Sequence, residues 1–191
     1  QQLGIPVDFT VTVDLDGFEA LVNAIDGVDF NVPVNMDYDD PYQDLHIHQK
    51  AGLRLLNGDD AMQVLRFRKG TNGYADGDIG RIGTQQAFLK AVAKQLLQIG
   101  NVKNIPALVD IFYTYVKTDL TTGNLVWLGN EALNIGTENI HFATLPGDGS
   151  GYYNKQSVYV LDAQATCDLV NEALNPYNEA LTLEDMDILV P

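Results

Sequence analysis

From Phe9 to Val34 the chain spells out a strand, a helix and a strand, and that order limits the available folds more than any other stretch. Phe9–Leu15 alternates and is rich in β-branched residues, the pattern of a strand. Asp16-Gly17 then opens a helix through Ile25 that gathers Phe18, Leu21, Val22 and Ile25 on one face. Asp16 suits the N-cap and Gly27 the C-terminal stop. Val28–Val34 is a second strand, and a helix between two strands at this spacing predicts a strand-helix-strand unit in a mixed sheet.

Downstream, Met36–Asp44 reads as an acidic, Tyr-rich loop and Leu45–Gln49 as a short alternating segment. Gly52–Leu56 leads into the turn and cap signal Asn57-Gly58. Asp59–Leu65 follows as a short helix with Ala61, Met62 and Leu65 facing inward. Arg66–Arg68 leaves that helix extended, which points Arg66 and Arg68 to one side and Phe67 to the other. Lys69–Gly77 is a glycine-rich loop, and a long helix runs from about Ile79 to Ile99. Further helices are predicted at Ile105–Val116 and at Thr122–Leu133, the latter with a Thr cap. Strands at Ile140–Leu145 and Ser157–Val160 flank a turn at Pro146–Gly151, and Asp162–Asn175 is a last amphipathic helix. The pattern describes one domain over residues 1–177 and an acidic extension over 178–191.

Charge narrows the function. The net charge is -15 and the pI about 4.2, which argues against general nucleic-acid binding, since phosphate neutralisation needs a basic surface. The single Cys167 excludes an internal disulfide and lies in an apolar-periodic run, where a thiol is buried and inert. No apolar run reaches the ~20 residues of a membrane helix. The start, Gln1-Gln2-Leu3-Gly4-Ile5-Pro6, lacks a signal peptide and an initiator Met, so the sequence reads as a piece of a longer protein.

Against this acidic background eight of the eleven cations (Lys50, Arg54, Arg66, Arg68, Lys69, Arg81, Lys90, Lys94) fall between residues 50 and 94. The simplest physical reason is an anion held there. Arg66 and Arg68 on one face of an extended segment form a fork that suits phosphate or pyrophosphate; pairing with surface Asp and Glu would use the same residues. Arg81 and Gln85, four apart, share a face of the long helix, whose N-terminus adds unsatisfied N–H groups. Phe88 and Val92 continue that stripe, as for a ligand with a charged head and an apolar tail; a core helix with a salt bridge at its start would look the same. Gly80 and Gly83 weaken the first turns by roughly 1 kcal/mol each, the mark of a close approach by a ligand or by packed backbone.

Asp76 and Asp78, in the glycine-rich loop, offer hard oxygens for Mg²⁺ beside a phosphate; a solvated acidic loop is the plainer reading. Asp37, Asp39 and Asp40 lack a full set of calcium ligands and read as a solvated loop. His46 and His48 share a strand face, as two zinc ligands would, but no third ligand shows metal-site spacing and they read as surface histidines. No Gly-x-Ser-x-Gly elbow or Ser-His-Asp set is visible.

At these residues the chain resembles the LytR-CpsA-Psr family. The matching phrases are Leu3-Gly4-Ile5-Pro6-Val7-Asp8, Val13-Asp14-Leu15-Asp16-Gly17-Phe18, Gly27-Val28-Asp29-Phe30-Asn31-Val32-Pro33 and Met36-Asp37-Tyr38-Asp39-Asp40. They continue with Leu56-Asn57-Gly58, Arg66-Phe67-Arg68, Asp78-Ile79-Gly80-Arg81, Gln85-Gln86 and Leu145-Pro146-Gly147, so the resemblance covers about residues 3 to 175. It implies an α/β fold with a mixed central sheet flanked by helices on both sides, and an apolar tunnel for a lipid tail. It also implies a phosphotransferase at the extracellular face of the cell membrane, anchored by an N-terminal helix that this chain lacks. The reaction implied is transfer of a glycopolymer, teichoic acid for example, from a polyprenyl-pyrophosphate carrier to peptidoglycan through a phosphodiester, in cell-wall biogenesis. Residue by residue, Arg66, Arg68, Arg81 and Gln85 match the pyrophosphate binders, with Arg81 and Asp78 at the reacting centre and Asp78 as a ligand to Mg²⁺.

The family domain begins upstream of the Leu-Gly-Ile-Pro phrase. The resemblance therefore implies that a further metal ligand, other cations and some strands lie outside this chain, leaving a sheet edge open to self-association and little transfer by these 191 residues alone. Gly83-Thr84, where relatives often have a bulkier or charged pair, and the length of the loop at Gly70–Ala75 depart from the family pattern. Two rival readings remain: hydrolysis of the polyprenyl pyrophosphate, and a non-catalytic regulatory module that binds anionic lipid or polymer.

Overall fold

A computed structural model describes residues 2–68, 74, 78–97 and 105–188, with the backbone alone at 78, 79 and 105. The chain forms two compact units, Phe9–Phe142 and Gln1–Asp8 with Ala143–Pro191. The α/β class is as expected, and the candidate residues lie in the first unit.

That unit opens with β1 (Val11–Val13) and α1 (Leu15–Ala24). The N-cap is Asp14, not Asp16: its backbone is extended and its carboxylate accepts from the Gly17 N–H at 2.7 Å. The helix follows the strand without a linker, which leaves Asp16 in the first turn, where an acid also favours the helix dipole. Asp26 and Gly27 then take positive φ values of 61° and 87°, and Gly27 N–H closes on Val22 O at 2.9 Å.

β2 (Val28–Val32) buries Val28, Phe30 and Val32, and pairs antiparallel with β5 (Gly52–Leu56), Val28 opposite Leu56 and Val32 opposite Gly52. β1 pairs instead with the unforeseen β6 (Val116–Thr118), antiparallel, with Val11 opposite Thr118. The strands flanking α1 thus belong to different ladders, and the predicted strand-helix-strand unit does not form among the described residues. β1 leaves all three residues exposed while β2 buries every second one, so they share no apolar face. Asp119, which accepts from Thr10 N–H at 2.7 Å, fastens the β1–β6 pair at its end.

The segment read as an acidic loop is β3 (Met36–Asp40), paired in full register with β4 (Leu45–Gln49). Its period is two: Met36 and Tyr38 face in while Asp37 and Asp39 face solvent, and acidity hid this alternation. Asp40 builds the connecting turn, accepting from Tyr42 N–H and from the Gln43 amide.

α2 (Gly58–Arg66), capped by Asn57, packs on α1, and Gly58 is required at their crossing: an added Cβ would lie 2.5 Å from Glu19 O. α3 (Asp78–Leu96) packs against β2. Its Phe88 is fully buried, edge-on to Phe30 at 5.0 Å and tilted against Phe18 at 6.2 Å, with Val92 buried beside them. Of the two readings of this stripe, a surface for an apolar tail or a core helix, the structure takes the second. α4 (Ile105–Tyr115) packs on α1, and α5 (Thr122–Ile135) is capped by Thr121 as expected.

In the second unit β7 (Gly147–Tyr153) and β8 (Gln156–Leu161) form a hairpin. The predicted strand at 140–145 is absent, and the predicted turn is strand from Gly147 on; the chain reverses at Asn154-Lys155, whose φ values of 48° and 65° suit a two-residue hairpin turn. α6 (Ala163–Ala173), capped by Asp162, buries Cys167, as expected. Asn171 exchanges hydrogen bonds with Leu181 at 2.7 and 2.9 Å, so part of the acidic C-terminal segment packs on α6.

Phe88→Ala should destabilise the protein by about 3–5 kcal/mol in urea titrations, the cost of emptying a buried aromatic site. Leu53→Ala, at a side chain 76% exposed, should stay within about 0.5 kcal/mol of the parent.

Candidate functional site

The predicted residues lie at the exit of α2 and along α3, two helices that pack on each other. Phe67 caps α2 with extended backbone (φ −63°, ψ 123°), and its N–H bonds Gln63 O at 3.1 Å. Arg66 is the last helical residue, one position later than predicted, yet the expected alternation holds: Phe67 is fully buried and Arg66 and Arg68 are exposed. Burial of one large ring thus presents two guanidiniums to solvent.

The Phe67 ring meets Tyr74 edge-on at 5.6 Å. Tyr74 in turn lies against Gly80 in the first turn of α3, where an added Cβ would come within 2.7 Å of the Tyr74 Cβ. The close approach that the glycines imply is therefore partly intramolecular: Tyr74 needs Gly80, whereas Gly83 has nothing within 4 Å of its Cβ position. Burial pushes the Tyr74 phenol above its ordinary pKa, so it stays protonated at neutral pH. Thr84 closes the same turn, its hydroxyl donating to Gly80 O at 3.1 Å.

Gln85 ties the two helices: its amide donates to Leu65 O at 3.0 Å, one residue before Arg66. An amide nitrogen carries two hydrogens, and among the described residues this bond uses one of them. Arg81, one turn before Gln85 on the same face, is half-buried. Three guanidiniums, an amide and a helix N-terminus are all donors, the kind of group that an anion with several oxygens takes.

Asp78 is the first residue of α3, and its side chain lies outside the described residues, as do Asp76 and most of the loop before it. Mg²⁺ keeps several waters and needs only one or two carboxylates when substrate phosphates supply the rest.

On the β3–β4 hairpin, far from a plain acidic loop, Asp37 stands opposite His48 and Asp39 opposite His46. The Asp39 carboxylate holds the His46 imidazole above its ordinary pKa, and His46 holds Asp39 below its own. Tyr74 and this cross-strand pairing escaped the sequence reading. An aromatic residue in a glycine-rich loop was the available signal for the first; the second needs the strand register.

The model of the LytR_cpsA_psr family matches residues 1–175. TagV, a polyisoprenyl-teichoic acid–peptidoglycan teichoic acid transferase of Bacillus subtilis, is 30% identical over 168 residues, covering 86% of this chain and 41% of TagV. The cell wall biosynthesis protein LcpA of Corynebacterium glutamicum is 31% identical over 177 residues, covering 90% of this chain and 32% of LcpA. The crystal structure of B. subtilis TagV matches with a TM-score of 0.66 and 27% identity, over 98% of this chain and 67% of that one. The chain spans less than half the length of these two relatives.

The two glycines of α3 should respond with opposite sign. Gly83→Ala should stabilise by up to about 1 kcal/mol, the helix-propensity gain at an open site. Gly80→Ala should destabilise despite the same gain, because Tyr74 must move; urea unfolding of both variants checks this.

Proposed function

Because the chain belongs to the LytR-CpsA-Psr family, we propose that the whole protein transfers a cell-wall glycopolymer from a polyprenyl-pyrophosphate carrier to peptidoglycan. The observation that carries this reading is the exposure of Arg66 and Arg68 on either side of the buried Phe67, at the point where Gln85 binds α3 to the end of α2. It is supported by the likeness to TagV, named as a teichoic acid transferase.

In this reading Arg66 and Arg68 hold the lipid-side phosphate, and Arg81, Gln85 and the N-terminus of α3 face the phosphoryl group that moves. A peptidoglycan hydroxyl attacks the phosphorus that bears the glycopolymer. The bond from that phosphorus to the bridging oxygen breaks, and polyprenyl phosphate leaves. Charge builds on the transferring and leaving oxygens, and fixed donors aimed at them lower the barrier without reorganising. Asp78 accepts the hydroxyl proton or holds Mg²⁺. Mg²⁺ would supply further neutralisation of phosphate charge. Such a reaction belongs at the outer face of the cell membrane. No helix among the described residues is long and apolar enough to cross a membrane.

The test uses the full-length protein, Mg²⁺, a polyprenyl-pyrophosphate-linked saccharide and peptidoglycan. Arg66→Ala and Arg81→Ala should each lower transfer by about 100-fold or more, as loss of one transition-state donor does. Lys117→Ala, on β6, should leave it unchanged. Full transfer by both arginine variants would refute the assignment, and release of saccharide phosphate that ignores the acceptor would make the enzyme a hydrolase.

A further inference from the structure

Two of the chain's three histidines, His46 and His48, lie on the solvent face of the β3–β4 hairpin and play no part in the proposed transfer. Antiparallel register sets Asp39 directly opposite His46 and Asp37 directly opposite His48. The Asp39 Oδ1 sits between the two imidazoles, 2.5 Å from His46 Nδ1 and 3.4 Å from His48 Nε2. One ligand atom from each of Asp39, His46 and His48 lies within 4.8 Å of the others, and this is the one such group among the described residues.

We propose that Asp39, His46 and His48 form a binding site for a divalent transition-metal ion, Zn²⁺ above all. Zn–N and Zn–O bonds of about 2.0–2.1 Å at a tetrahedral angle separate neighbouring ligand atoms by about 3.3 Å. The His48–Asp39 separation already matches. The His46–Asp39 contact opens by roughly 0.8 Å when a metal replaces the shared proton, to reach that same tetrahedral spacing.

Each ring has a second carboxylate on its far nitrogen. Asp37 Oδ1 lies 2.7 Å from His48 Nδ1, and Asp44 Oδ1 lies 3.6 Å from His46 Nε2. Asp37, hydrogen-bonded to the non-ligating nitrogen of His48, fixes that ring's tautomer and raises the basicity of the ligating nitrogen, which is how metal-binding histidines are usually supported, whereas Asp44, beyond hydrogen-bond distance, adds only negative charge beside His46. Asp37 and His48 also help line a cavity of about 270 Å³ that gives solvent access beside them. Three protein ligands on an exposed ladder leave a fourth position to water. Imidazole with carboxylate selects Zn²⁺, Ni²⁺ or Cu²⁺ over Mg²⁺, so this site and the proposed phosphate site would take different ions. The metal would clip β3 to β4, and the net charge of -15 favours the cation's approach.

Tag-free 191-residue protein is titrated with Zn²⁺ in a non-coordinating buffer by calorimetry, and with Co²⁺ by visible absorption. One saturable equivalent is expected, with tetrahedral Co²⁺ bands. His46→Gln and His48→Gln should each weaken binding more than Asp37→Asn, for which the loss of an outer-shell partner predicts about 10-fold to 100-fold. His141→Gln should change nothing. Zn²⁺ should also slow amide exchange across 36–49. Circular dichroism confirms that the variants fold, since every substituted side chain is exposed. No saturable binding, or binding unchanged in both His46→Gln and His48→Gln, would overturn the site.

Discussion

Burial of Phe67 is the constraint on which the candidate site depends. A helix that ended in solvent would let its last side chains sample many directions. Here a fully buried ring anchors the segment, and Arg66 and Arg68 are left no course but outward. The same ring meets Tyr74, Tyr74 occupies the space that Gly80 leaves, and Gly80 is in the first turn of α3. One apolar contact thereby couples the arginine fork to the helix that carries Arg81 and Gln85. At the far side of α3, Phe88 fastens the helix to β2 through Phe30. The backbone that carries these residues is held by the core beneath it, through Phe67 and Phe88.

Two regions of opposite chemistry follow from the two ways this unit arranges charge. At the α2–α3 junction, scarce cations are gathered on a helix exit and a helix start, where backbone N–H groups add to them. On the β3–β4 hairpin, carboxylates and imidazoles alternate along two strands and meet across the ladder. The first region suits a multiply charged oxyanion, and the second a borderline-soft cation. Their elements are joined, because Gln63 of α2 accepts from His48 N–H at 3.0 Å and from the Gln49 amide at 2.9 Å. The inner face of the hairpin and the outer face of α2 are thus parts of one packed body.

Much of the local structure was legible in the residues themselves. The threonine cap of α5, the stop at Gly27 and the in-out alternation at Arg66-Phe67-Arg68 all express short-range rules of spacing and backbone conformation. Errors arose where two signals competed. Met36–Asp40 was hidden by its acidity, although its period of two was present. Gly147–Tyr153 was hidden by its glycines, and its true turn, Asn154-Lys155, lies beyond them. Phe88 and Val92 made a stripe that fits a core or a lipid wall equally well; only the position of Phe30 and Phe18 decides for the core.

By itself the sequence determined what depends on neighbours along the chain: the α/β class, the stop at Gly27, the gathering of cations between residues 50 and 94, and the family motifs. Tertiary structure decided what depends on neighbours across the fold. It set β1 against β6 and β2 against β5, turned the Phe88 stripe into core, joined Gln85 to Leu65, and brought Asp39 between His46 and His48. The physical reason is the same in each case. Hydrogen-bond register and side-chain packing select partners many residues apart by shape and by burial, and spacing along one strand or one helix carries no record of which partner that will be.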